Sequence, residues 1–147
     1  TSTKNESTNQ QPKQTQSAYA DEKQQDEQAV DGSVTFHGIK YSLEKQSDGK
    51  TAVVRTSDSG TKSVLFEVEG TPTSLILFND TILVPENRDS GWDVVACALV
   101  DGSLPTLIAD KDGKAVGGNG TITAATLDGT TLKVTDSTGN TTSVALQ

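Results

Sequence analysis

Methionine is missing from these 147 residues, and cysteine, histidine and tryptophan occur once each, as Cys97, His37 and Trp92. A single cysteine forms no internal disulfide, so nothing covalent braces the chain. Between Ala96 and Ala98 it reads as a small buried hydrophobe, not as a nucleophile. A single histidine needs carboxylate, cysteine or further histidine partners for catalytic or metal work, and His37-Gly38 reads as an exposed turn. No two basic residues are adjacent and the net charge is −8. That balance repels a phosphate backbone and excludes nucleic acid as the expected partner. No apolar run approaches the roughly 18 residues of a membrane span. The nucleophile elbow Gly-x-Ser-x-Gly is absent, so Asp58-Ser59-Gly60 and Asp89-Ser90-Gly91 are turns first.

What the chain does have begins with a polar tail. Residues 1–32 carry three lysines and six acids, which is −3 of the total charge. Their only apolar members are Ala18, Tyr19, Ala20, Ala29 and Val30. Such a segment buries too little to offset its ordering entropy, and disorder is expected. A helix over 20–29 has the propensity but no apolar stripe to dock it. Residues 33–147 form the second unit, with enough apolar surface for one modest core.

The folded unit is organised around its most apolar run, Trp92–Val100, an Asp101-Gly102 turn, and Leu104–Ala109. Asp-Gly between two apolar strands is a strong hairpin signal. Other expected strands are Val34–Phe36, Ile39–Leu43, Thr51–Thr56, Ser63–Val68, Leu75–Phe78, Thr81–Val84, Thr121–Leu127, Thr131–Thr135 and Thr142–Leu146. Thr71-Pro72-Thr73 and Pro85 are expected to break the pattern, because proline lacks the amide proton of a ladder. Turn glycines recur at Gly49, Gly91 and Gly129, spaced 42 and 38, and at Gly60, Gly102 and Gly139, spaced 42 and 37. Turns every ~10 residues make an all-β chain, and a period near 40 is that of repeated β-meanders. Three such rounds of about ten short strands can form a small antiparallel sandwich or barrel, or a blade-like stack. Closed propellers start at about four blades, so a ring would need a second copy or another chain.

The run Ala98-Leu-Val-Asp-Gly-Ser-Leu-Pro-Thr-Leu-Ile108 resembles the outer hairpin of a blade in secreted bacterial β-propeller repeats, of the Tol-associated and low-density-lipoprotein-receptor-like kinds. Phe78-Asn-Asp-Thr-Ile-Leu-Val84 is similar to the inner strand before it. The Ser/Thr/Gln/Asn/Lys-rich tail resembles the spacer behind the lipidated cysteine of Gram-positive bacterial lipoproteins. These resemblances imply an extracellular or cell-surface protein, tethered through a lipid anchor that would precede Thr1. A chain opening at Thr1 without methionine is expected to be a mature or trimmed product.

Candidate chemistry is thin. Asp110, Asp112 and Gly113 begin like a calcium loop, but reading Gly113 as its sixth position puts Ile108 first, and no glutamate closes it. Gly117-Gly-Asn119-Gly-Thr-Ile122 starts like a calcium-binding nonapeptide, with Ile122 where aspartate is required. No metal or cofactor is expected. Trp92 beside a turn, with Asp89 and Asp93, is the one place where an aromatic and acids could meet a glycan or peptide. The first expectation is a non-catalytic surface-displayed binding or scaffolding domain for a protein or glycan. Its contact loops would be 87–91 and 110–120, which hold Asp89, Asp110, Asp112 and Asn119. The alternatives are a cell-wall or glycan hydrolase using Asp89 and Asp93 beside Trp92, and a subunit completing a propeller with another chain.

Overall fold

The computed structural model of the chain describes residues 27–28 and 32–146. The tail expected to be disordered, and the helix weighed within it, otherwise lie outside the described residues. All regular structure among the described residues is strand. The first sheet runs in chain order through β1 (Glu27–Gln28), β2 (Val34–Phe36), β3 (Ile39–Lys45), β4 (Thr51–Thr56) and β5 (Lys62–Val68). The second holds β6 (Thr71–Pro72), β7 (Ile76–Phe78), β8 (Thr81–Arg88), β9 (Gly91–Ala98), β10 (Thr106–Leu107) and β11 (Gly117–Gly118). The third is β12 (Ile122–Asp128), β13 (Thr131–Asp136) and β14 (Thr141–Ala145). Every pairing is antiparallel.

The second sheet is the middle layer of a stack, and β8 shows why. Successive side chains of a strand point to opposite faces. Ile82 and Val84, with Cys97 of β9, join Val34, Tyr41, Val53, Phe66 and Val68 of the first sheet in one core. Leu83, with Trp92 and Val94 of β9, joins Leu132, Val134 and Val144 of the third sheet in another. Ile82 to Glu86 are consequently all buried, the unbroken pattern of a strand covered on both faces. The outer layers present charged or hydroxyl-rich sides. Lys62 bridges Glu44 at 3.0 Å on the first sheet and Lys133 bridges Asp128 at 3.4 Å on the third. Among the described residues no barrel closes, and three antiparallel sheets stack with one core on each side of the second.

Five of the six marker glycines fall between successive strands of a layer, Gly49 and Gly60 in the first, Gly102 in the second, Gly129 and Gly139 in the third, and Gly91 opens β9. The first two layers also open with a short strand, β2 or β7, turned back by a non-glycine residue at positive φ, His37 (52°) or Asn79 (55°). Among the described residues, no such strand precedes β12.

Four expectations are corrected. Pro85 does not end its strand; β8 continues to Arg88. The Pro85 carbonyl accepts the Thr73 amide at 2.9 Å, so the face of the strand where its own amide proton would point looks toward the gap between β6 and β7. The missing donor is thus turned away from β9, and the β8–β9 ladder loses no bond to it. Second, Thr71-Pro72 is itself an edge strand, pairing with Asn87 and Glu86. Third, the second half of the apolar hairpin, Leu104–Ala109, shrinks to the two residues of β10. After Ile108 the chain leaves the edge of β9, makes a small loop closed by the Ala109–Ala115 bridge, and returns as β11. Fourth, two residues of the polar tail form β1 against β2, because edge pairing uses backbone groups and asks nothing of the side chains.

Candidate functional site

The end of the β8–β9 hairpin carries the densest polar chemistry of the described residues. In its register Glu86 pairs with Asp93, and Asn87 with Trp92. Alternation sends the two pairs to opposite faces. Asn87 and Trp92 serve the third sheet: Asn87 Oδ1 accepts the Ile122 amide at 2.8 Å, and Trp92 Nε1 donates to Asp136 Oδ2 at 3.2 Å. Asp136 is buried and also accepts from the Thr138 amide and hydroxyl, and the Thr138 bond is the main cause that holds its carboxyl below the ordinary range.

Glu86 and Asp93 serve the first sheet. Glu86 is fully buried; its Oε1 accepts the Gly70 amide at 2.8 Å and its Oε2 the Arg88 guanidinium at 3.2 Å. Arg88 Nη1 also lies 3.4 Å from Asp93 Oδ2. Burial, then the hydrogen bond to Glu86 and the repulsion from its charge, push the Asp93 carboxyl up to about 7. Arg88 lies against both carboxyls and offsets their charge. A buried cluster of this kind is tolerated because it is nearly neutral. Asp93 Oδ1 alone is buried without a hydrogen-bond partner.

Two open spaces flank this cluster. A polar cleft of about 560 Å³ lies between the turns of the first and second sheets, with Lys45, Lys50, Glu69, Arg88 and Asp89 on its walls. A smaller groove of about 240 Å³ runs between β5 and β10 over Phe66, Val68, Val95 and Leu107, and ends at Glu86 and Arg88. The β9–β10 connection carries Val100 and Leu104, exposed by 59% and 78%, and β10 carries Leu107, exposed by 47%. These are three of the four exposed large apolar residues among the described residues, within eight positions of chain.

The residues singled out from sequence do not converge. Trp92 is interior, 3% exposed, and faces the third sheet with its indole against Gly118, so it offers no platform to a ligand. Asp93, its neighbour, faces the other way. Asp89 is exposed in the β8–β9 turn on the wall of the polar cleft. Asp110 and Asp112 lie on the exposed loop after β10, where Asp110 Oδ1 accepts the Asp112 and Lys114 amides at 2.9 and 3.0 Å and closes its own turn. Asn119 is exposed just beyond β11. The arrangement of Asp89 and Asp93 beside Trp92 is therefore not formed. Cys97 is buried and its thiol is pushed up by that burial. Among the described residues no group of three metal-ligating side chains converges.

Glu86, Arg88 and the exposed leucines were not singled out from sequence. Carrying the alternation past Pro85 would have set Glu86 opposite Asp93. Nothing in the sequence distinguishes Leu104 and Leu107 from core residues.

Compared with protein-family models, with curated proteins and with solved structures, the chain finds no match in any of the three.

Proposed function

We propose that this chain is a non-catalytic binding domain, displayed at a bacterial cell surface through the polar segment 1–32 or secreted, and that its recognition surface is the β9–β10 connection with the adjoining groove. The observation that carries this reading is the exposure of Val100, Leu104 and Leu107 together. Three of the four exposed large apolar residues among the described residues fall within eight positions of chain, and an exposed apolar cluster marks an interaction surface. The polar outer sides of the first and third sheets support a stack that ends by itself. They weigh against the reading in which further blades complete a ring, since a sheet awaiting a neighbour keeps an apolar face.

A selection from a random peptide library displayed on phage, run on the full chain, tests this. Binders that fail on the double variant Leu104→Asp/Leu107→Asp are the expected result. Enrichment only of peptides that bind both proteins equally, or of none, overturns the reading.

A further inference from the structure

The groove beside the exposed leucines has the components of a strand-accepting site. β5 is the last strand of the first sheet, so one of its edges has no neighbouring strand among the described residues. The hydrogen-bonding parity shows which groups face that edge. The Gln46 amide donates to the Lys50 carbonyl, so even-numbered residues of β4 face β3 and the odd ones, Thr51 and Val53, face β5. Their partners Val68 and Phe66 turn their backbone groups inward, and Glu67 between them turns its N–H and C=O outward. Both sit on the groove, with Phe66 and Val68 forming its apolar wall and Val95, Pro105 and Leu107 the wall opposite.

The charged residues that line the groove are acidic apart from Arg88. Glu67 and Glu69 are exposed at the groove. From residue 89 to 110 the chain carries Asp89, Asp93, Asp101 and Asp110 and no lysine or arginine. Arg88 is itself engaged by Glu86 and Asp93. An anionic lipid surface is repelled by such a patch, and a glycan finds no exposed aromatic ring on it.

Resting on the reading of this surface as a binding site, we infer that the groove takes an extended peptide segment of a protein partner, alternating apolar and basic residues. The segment adds as a strand to the free edge of β5 at Glu67. Backbone hydrogen bonds to the edge hold it, apolar side chains enter the groove beside Leu107, and lysines or arginines meet Glu67 and Glu69. Strand addition to a free edge draws affinity from the main chain and selectivity from alternate side chains.

The test uses the full chain and fluorescent synthetic peptides read by anisotropy: one of four Lys-Val repeats, one of four Glu-Val repeats, and the first with every backbone amide N-methylated. The expected result is that the Lys-Val peptide binds at least tenfold tighter than the Glu-Val peptide. N-methylation should remove its binding, and Glu67→Lys/Glu69→Lys should weaken it at least tenfold while leaving the thermal midpoint in place. Equal binding of the methylated peptide overturns strand addition, and equal binding of Glu-Val overturns the charge assignment. If the Lys-Val peptide does not bind but the library selection yields Leu104/Leu107-dependent binders, this inference fails and the binding reading stands. If that selection fails as well, both fall. Self-association of the chain that Leu104→Asp/Leu107→Asp abolishes identifies the occupant as a second copy and overturns the partner named here.

Discussion

Trp92 Nε1 donates a 3.2 Å hydrogen bond to Asp136 Oδ2, joining the middle layer to the third across 44 positions of sequence. Both groups are buried, so each depends on the other for a partner that water would otherwise supply. This chain has one tryptophan, and its fluorescence reports that layer contact directly. Trp92→Phe keeps most of the apolar bulk and removes the donor. It is expected to lower the stability by about 1–3 kcal/mol, through the lost bond and the imperfect fill. Urea midpoints of the two proteins, followed by circular dichroism, measure it.

The carboxyl pair gives the fold a pH dependence of definite sign. Asp93 is raised from 3.8 to about 7 in the folded chain, so folding takes up a proton between those values. Its contribution is complete below that window and falls away as pH rises through about 7. Urea unfolding in steps from pH 5 to pH 9 should show stability declining from pH 5 to about 7 and levelling off above it. In Asp93→Asn the decline should flatten. Asp136 acts at the other end with the opposite sign: its lowered carboxyl gives a contribution present above its ordinary range and lost as acid protonates it. Asp136→Asn should therefore lower stability at neutral pH and flatten the decline in acid.

Gly118 is close-packed against the indole. A Cβ there would lie 2.8 Å from Trp92 Nε1 and 3.1 Å from Cε2, inside contact distance of a ring that is held on both sides. Gly118→Ala should cost about 1–3 kcal/mol as an overpacking change, and should shift the tryptophan emission. An unchanged thermal midpoint would show that β11 gives way freely.

Leucines of equal size should differ widely in cost. Leu83, 2% exposed, is packed between β8 and the third sheet, and Leu83→Ala should cost about 2–5 kcal/mol. Leu104 and Leu107 touch solvent, and replacing both by aspartate should change stability by no more than about 0.5 kcal/mol each. Chemical denaturation of the three variants decides whether the exposed pair contributes to folding or is kept for contact.

Most of the architecture was legible from residues alone, for local reasons. Period-two alternation located the strands, and Asp-Gly and Asp-Ser-Gly located the turns, because both signals depend on a few neighbouring residues. The misreadings share one cause. Pro85 is tolerated in β8 because its missing amide proton faces a gap between two other strands, which no local pattern reveals. Leu104–Ala109 has the apolar content of a strand, yet only two of its residues pair, because the edge of β9 is shared with β11 from further along the chain.

The candidate site was less legible than the fold. Trp92 reads as a surface aromatic beside a turn, and the third sheet covers it. Asp93 reads as its companion, and strand alternation places it on the opposite face beside Glu86. The sequence by itself determined that the chain is all-β, that its meanders repeat three times, and that its core is aliphatic, since these follow from side-chain chemistry and short-range spacing. Only the tertiary structure decided which layer lies between the others, which acids meet around Arg88 and which leucines stay in water. Those properties depend on what the opposite face of a strand meets, and contacts distant in sequence settle that.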